Sequence, residues 1–454
     1  MNKTKISGRI KFPLEGVLSL MLLLGPVMVQ ASGLPQTLNL DESIQQAFKE
    51  SPALRSAQVA IQGAEFKKDQ ARSGFLPKLG TQYNYSHVDK APFVRTPAQN
   101  YGSIQIPSST TTIGTQDNYA LYLILEQPIF TGMAITRNYE LAELGVDVSR
   151  IKLAQERLNL AYKVKEAYWN ILKAQKLYMV ADQTVSQIAD HVRVAQDYYN
   201  VGLIPLNDLL KSEVQLADAK QNLIKAENSL LLAKSNFNTL LRLPFEKDTE
   251  VQDILTYQPF TRPWEDCLQE ALKRRPEIRE IETQIEMAQK NIQLAQSEYF
   301  PQVVLQGRYI KQGDSPGVSG SPFVYADNWD IVAAMKWNLW EWGRTHYLEQ
   351  ERIKQREQVK ETLTQIKDFI RLEVKDAYLI LREAEKSFTL AEKSIAQAEE
   401  NHRISEFRYR EQVATSLEVL DAQTLLTQAK NNLYQALYAY NLAHSRLMRA
   451  MGTW

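Results

Sequence analysis

Two periodicities alternate along this chain, one of 3.5 residues and one of two. The first is clearest in Ala174, Tyr178, Ala181, Val185, Ile188, Val192, Ala195 and Tyr199, which step by four and three residues in turn. That is the apolar seam of a heptad repeat. Gly202 and Pro205 interrupt it, and a second seam follows: Leu209, Ser212, Leu216, Ala219, Leu223, Ala226, Leu230, Ala233, Phe237 and Leu240. Large and small residues alternate. The small ones let two backbones approach, and the large ones fill the gaps between. The pattern predicts two long helices joined by a tight turn at 201–205 and folded into an antiparallel coiled-coil hairpin. From Ala134 to Asn200 there is no Pro and one Gly, which predicts a single helix of roughly 100 Å.

Adding 210 to each number finds the hairpin again. The rising seam is Ala384, Phe388, Ala391, Ile395, Ala398, His402, Ser405 and Tyr409. The falling seam is Val419, Ala422, Leu426, Ala429, Leu433, Ala436, Tyr440, Ala443, Leu447 and Ala450. A chain of 454 residues suggests two or three domains, but an internal duplication overrides that expectation.

Between the helical parts the period drops to two. Trp329, Ile331, Ala333, Met335, Trp337 and Leu339 alternate with Asn328, Asp330, Val332, Ala334, Lys336 and Asn338. Residues 79–86, 119–129 and 303–310 alternate in the same way, with Tyr122 and Ile124 weakening the second. Apolar-out, polar-in strands of this length suit the wall of a transmembrane β-barrel. A half-buried soluble sheet alternates as well. The loops 89–116 and 311–326 are long and rich in Ser, Thr, Gly and Pro. Phe130, Trp340 and Trp342 sit where strand meets helix, as a membrane-interface girdle requires and as ordinary corner packing also permits. A helix in two pieces, 41–73, precedes the first strand, and its copy lies 224 residues on: Phe75-Leu76-Pro77 matches Tyr299-Phe300-Pro301.

The expected organisation has two repeats, 32–243 and 244–454, with the Pro-containing linker 243–263 at their junction. The first holds a β-hairpin over 79–130 and a helical hairpin over 134–242, and the second a β-hairpin over 302–340 and a helical hairpin over 343–452. The fold class is mainly α with a transmembrane β part.

The first residues change the picture. Lys3, Lys5, Arg9 and Lys11 precede an apolar run from Val17 to Leu24, and Val29-Gln30-Ala31 follows. Residues 1–31 read as a secretory signal peptide cleaved near Ala31, the apolar run being shorter than the roughly 20 residues that span a bilayer. Charge is balanced, 53 basic against 53 acidic residues, so no nucleic-acid footprint is expected. The lone Cys267 excludes an intrachain disulfide. His87, His191, His346, His402 and His444 are scattered, and no Walker loop, dinucleotide fingerprint or metalloprotease motif is present. An enzyme, a cofactor and a metal site are therefore not expected.

Four strands are too few to close a barrel, for which about eight is the practical minimum. An open sheet in lipid leaves unpaired edges, which a bilayer does not tolerate. The chain must then assemble with copies of itself: two give eight strands, three give twelve.

At this point the chain resembles the TolC family of outer-membrane efflux and secretion channels. The resemblance is carried over about residues 38–454 by Asp41-Glu42, Pro52, Phe75-Leu76-Pro77, Phe130-Thr131-Gly132, Trp340-Glu341-Trp342-Gly343, Val201-Gly202-Leu203, Asp208-Leu209-Leu210 and the run Leu417 to Ala422. It implies a homotrimer, a twelve-stranded barrel among outer-membrane lipids and a periplasmic tunnel of twelve helices. It also implies a passive exit duct for drugs and small molecules in a tripartite system, with a periplasmic adaptor (membrane fusion) protein and an inner-membrane pump as partners. A type I protein secretion channel is the alternative, and a secreted coiled-coil structural protein a third reading.

The resemblance places a periplasmic gate at Asp208, Tyr409, Glu418 and Asp421, and an adaptor-docking tip at Gly202, Leu203, Val413 and Ala414. Plainer roles compete. Thr415 and Glu418 have the spacing of a capping box, and Gly202 suits a turn that needs positive φ. Two departures from the family pattern stand out: Gln412 replaces the tip glycine in the second repeat, which puts symmetric docking in question, and the chain stops at Trp454 without a further extension.

Overall fold

The heptad seams become the inner faces of two helical hairpins. The computed structural model describes residues 37–454; the expected signal peptide lies outside the described residues. In chain order come β1 (Thr37–Leu38), α1 (Leu40–Glu50), α2 (Pro52–Ser73), β2 (Lys78–His87), four short strands β3 to β6 between Phe93 and Thr112, and β7 (Asp117–Phe130). Then follow α3 (Ala134–Asn200), α4 (Leu206–Leu241), β8 (Glu250–Val251), α5 (Trp264–Arg274), α6 (Pro276–Gln296), β9 (Gln302–Gly313), β10 (Asp327–Lys336), α7 (Arg344–Arg410) and α8 (Ser416–Ala450). The long helices α3 and α7 have 67 residues each. No described helix is long and apolar enough to cross a membrane.

Helices this long gain their stability from packing along one face rather than from propensity. Ala174, Ile188 and Ala195 of α3 are buried against Leu209, Ser212, Ala219, Ala233 and Phe237 of α4. Ala384, Ala391 and Tyr409 of α7 are buried against Val419, Ala422, Leu426, Ala429, Tyr440 and Leu447 of α8. The short helices thicken the middle of the rod. Asn39 and Glu42 form a capping box that starts α1, and Ile44 and Ala47 pack on Tyr168, Leu172 and Phe237. Tyr168 is fully buried and its hydroxyl lies 3.1 Å from the Leu38 carbonyl and 2.8 Å from that of Gln252. It thereby ties the parallel pair β1 and β8 to α3. The second copy repeats this core, with Cys267, Ala271 and Ile278 against Val374, Leu381 and Leu447.

The strands β2, β7, β9 and β10 form one antiparallel sheet in that order. Residues opposite one another in such a ladder share a face. Trp329, Ile331, Ala333 and Met335 lie across from Tyr309, Gly307, Leu305 and Val303. The rows of Tyr309 and Gly307 continue through Leu123 and Leu125 to Thr81 and Leu79, and the next row holds Asp327, Lys311, Leu121 and Tyr83. One face is thus mainly apolar, with Trp329 70%, Ile331 65% and Leu79 70% exposed, and carries the charged pair Lys311 and Asp327 at one end. The other face carries Lys78, Gln82, Asn84, Glu126, Gln306, Arg308 and Asp330, with Arg308 and Asp330 joined by two hydrogen bonds of 2.9 and 2.7 Å. Tyr122 and Ile124 fall on this polar face, opposite Gln82 and Gly80. Among the described residues, the outer edges of β2 and β10 have no partner strand.

Two expectations need correction. The alternation through Trp337 and Leu339 does not continue as strand: β10 ends at Lys336, paired with Gln302. The partner strand begins there because Pro301, with no N–H, precedes it. Trp337 instead donates its indole N–H to the Tyr299 carbonyl at 3.0 Å. The first long loop is not irregular throughout, since Phe93–Thr96 pairs with Ser109–Thr112, and Gln99–Tyr101 with Ile104–Ile106.

Each hairpin of the sheet turns into a long helix through two successive left-handed residues, Gly132 and Met133, then Trp342 and Gly343. A Cβ on Gly132 would stand 2.4 Å from the Ser297 carbonyl oxygen, so only glycine fits that corner.

Candidate functional site

The ends of the helical hairpins farthest from the sheet bring most of the expected site residues together. α3 ends in a turn with Gly202 at φ 76°, and α7 in the same turn with Gln412 at φ 60°. The amide of Gly202 donates to the Tyr199 carbonyl and that of Leu203 to Tyr198, at 2.9 and 2.8 Å. The amides of Gln412 and Val413 repeat this to Tyr409 and Arg408, both at 2.9 Å. These bonds satisfy carbonyls that a helix end leaves free. Replacing glycine by Gln412 has therefore not changed the backbone turn. Val201, Leu203 and Val413 are exposed at its apex, and Ala414 is half-buried.

Asp208 and Glu418 sit in the first turns of the returning helices, where the helix dipole favours them, and Asp421 lies about one turn further along α8. Asp208 is half-buried and pairs with Lys211 at 3.5 Å. Glu418 forms the capping box with Thr415, and also meets Arg408 across the turn at 3.5 Å. Asp421 is exposed and has no hydrogen bond or ion pair among the described residues. It lines a groove of about 430 Å³ between α4 and α8, together with Lys211, Leu210, Val214 and Leu420.

Tyr409 is 3% exposed. Its ring packs against His191 at 4.9 Å and Tyr198 at 5.6 Å. Its hydroxyl is buried beside Ser416, and burial raises its pKa. Tyr409 thus lies inside the chain's own helix packing.

The seams hold each hairpin together, but a different interface joins one hairpin to the other. Along α3 and α8, Gln183 meets Lys430 at 2.9 Å, Thr184 meets Thr427 at 3.1 Å, Gln187 meets Gln423 at 3.0 Å, and His191 meets Ser416 at 2.7 Å. This polar ladder is absent from the sequence expectations. Its trace is a stripe of Gln, Thr, His and Ser beside each seam, which a search for apolar periodicity passes over. Polar contacts of this kind contribute about 0.5–1.5 kcal/mol each, and nearer the middle of the rod the same two helices are joined by apolar packing, with Leu437 and Tyr438 of α8 against the core around Tyr168 and Leu172.

At the other end of the long helices, Trp340 and Trp342 are 75% and 85% exposed, their rings 5.8 Å apart, and Phe130 is 38% exposed. Among the described residues no group of three or more His, Cys, Asp or Glu is placed to hold a metal ion.

Comparison with known proteins fits this architecture. The chain is 22% identical to outer membrane protein TolC of Escherichia coli (strain K12), over 95% of this chain and 86% of that protein. It is also 22% identical to the alkaline protease secretion protein AprF of Pseudomonas aeruginosa, over 90% of this chain and 83% of that protein. The crystal structure of the Campylobacter jejuni CmeC outer membrane channel superposes with a TM-score of 0.74 at 14% identity, covering 91% of this chain and 85% of that one. Residues 43–241 and 267–453 match the family described as outer membrane efflux protein. The chain belongs to that family: it is an outer-membrane channel protein of the TolC kind and not an enzyme.

Proposed function

We propose that three copies of the chain join edge to edge, β10 of one against β2 of the next, and close a twelve-stranded barrel in the outer membrane. The helical hairpins continue the barrel as a tunnel through the periplasm. The observation that carries this reading is the sheet: four strands, apolar on one face and polar on the other, open at both edges and running straight into 67-residue helices. Open edges in lipid leave N–H and C=O groups unsatisfied at several kcal/mol each, and closure with copies of the same chain removes them. Trp340, Trp342 and Phe130 then mark the inner lipid interface.

In this reading the protein is the exit duct of a tripartite export system, with a pump in the inner membrane and a periplasmic adaptor. The apolar turn residues Leu203 and Val413, beside Gly202 and Ala414, receive the adaptor. Asp208, Glu418 and Asp421 ring the periplasmic mouth, where like charges favour cations. Tyr409 holds the closed packing, and Glu418 caps α8 as well. The cargo is drugs and small molecules. Likeness to AprF supports protein secretion as the second reading. A dye-efflux assay separates them. In cells lacking their own outer-membrane channels, the protein supplied with an adaptor and pump should lower ethidium accumulation. Unchanged ethidium, together with release of a type I secretion substrate, reverses the assignment of cargo.

A further inference from the structure

The apolar face of the sheet ends in a charged motif that occurs twice. On the first hairpin the Tyr85 hydroxyl donates to Asp117 Oδ1 at 3.0 Å, and His87 Nδ1 lies 2.8 Å from the same oxygen. On the second, the Tyr309 hydroxyl donates to Asp327 Oδ1 at 2.5 Å, and Lys311 Nζ lies 3.6 Å from that oxygen. The two sets correspond position by position. Tyr309 and Lys311 lie 224 residues after Tyr85 and His87, and Asp327 lies 210 after Asp117, the offsets of the duplication itself. The aromatic pair beside each set corresponds as well: Tyr85 is opposite Tyr119, and Tyr309 is opposite Trp329.

Both sets stand at the end of the strands remote from the long helices. From there to the helices, the same face carries no charged residue on any of the four strands. A charge facing lipid is costly at the bilayer midplane and nearly free at its edge. The sets therefore suit the outer edge of the membrane, as Trp340, Trp342 and Phe130 suit the inner one. Because the two hairpins are copies, a ring closed from them holds all the sets at one height, two from each chain. What a bilayer offers at that depth is headgroup phosphate, and the cations are open to it. The side chains of Lys311 and His87 are 43% and 54% exposed. Lys311 has three N–H donors, of which Asp327 occupies one side only. His87 meets Asp117 through Nδ1, and its Nε2 has no partner among the described residues.

We propose that each set is a seat for a phosphorylated headgroup of an outer-leaflet lipid, with Lys311 or His87 taking the phosphate and the ring of Tyr309 or Tyr85 lying against the lipid just below it. This rests on the reading of the face as the outside of a barrel. Asp117 and Asp327 hold the cations at the height of the phosphates, and each cation stands between its carboxylate and the arriving anion. In that position the His87 ring donates from both nitrogens and carries a positive charge.

The test uses the protein purified in detergent and stripped of lipid, then incubated with bisphosphorylated lipid A or with the same lipid after removal of its phosphates. Native mass spectrometry counts the lipid retained. The phosphorylated form should bind at least tenfold more tightly. Lys311→Gln combined with His87→Gln should remove most of that preference, and Lys311→Arg with His87 intact should keep it. Lys336→Gln, at the other end of the sheet and on its polar face, should change nothing. Binding should survive EDTA. Equal retention of the two lipids or a double variant that binds like wild type would overturn the proposal. So would binding lost in EDTA, which would place a metal ion on the carboxylates instead. Failure of the barrel reading looks different. A protein that stays soluble without detergent loses both the barrel and the seats, whereas one that needs detergent and ignores the phosphates loses the seats alone.

Discussion

Gly202 and Gln412 occupy the same left-handed turn position, 210 residues apart, each at the end of a 67-residue helix. Nothing lies within 4 Å of a Cβ added to Gly202, so only its φ opposes a side chain there. A left-handed conformation costs a non-glycine residue about 1–2 kcal/mol. Gly202→Ala should therefore lower stability by about 1 kcal/mol, and Gln412→Gly should be neutral or slightly stabilising. Urea titration of the purified protein checks both, and a loss above about 3 kcal/mol for Gly202→Ala would mean that the turn does more than reverse the chain.

The corner at Gly132 should be far less tolerant. Its Cβ would overlap the Ser297 carbonyl oxygen and approach Phe300 Cβ to 2.9 Å, and both atoms are fixed by the backbone that carries them. Gly132→Ala should cost more than Gly202→Ala and reduce the amount of assembled protein in membranes. Equal assembly of the two variants would contradict the tight corner.

Docking at the tips has a separate readout. Leu203→Asp and Val413→Asp change exposed side chains, so the folded assembly should persist while export in cells is lost. Unchanged export would return these residues to a turn-forming role alone.

The acidic positions differ in their surroundings, and this orders the expected effects. Glu418 is engaged in its cap and with Arg408, and Asp208 with Lys211, whereas Asp421 faces the groove unpaired among the described residues. Asp421→Lys should change cation selectivity in planar bilayers and shift stability by less than about 1 kcal/mol. Selectivity like wild type would remove Asp421 from the gate.

Much of the fold was legible because it is periodic. The seams from Ala174 to Tyr199 and from Leu209 to Leu240 mark the packed faces of α3 and α4, since an apolar stripe on a long helix has to be covered. The strands were visible for the same reason, up to the point where pairing rather than pattern sets their length. Trp337 and Leu339 keep the alternation but lose the partner strand at Pro301. The ribbon within 89–116 was hidden because Pro92, Pro97 and Pro107 and many Ser and Thr resemble irregular loop. At the tips, Gly202 and the Thr415–Glu418 cap were readable from spacing. His191 and Ser416 were not: they are 225 residues apart, and the chemistry lies in the pair rather than in either residue.

The central claim is that one chain supplies a third of a closed barrel. Native mass spectrometry of the purified protein in detergent tests it directly. The expected species is three copies of the mature chain, persisting on dilution. A stable monomer with the sheet folded would contradict the barrel and the tunnel together.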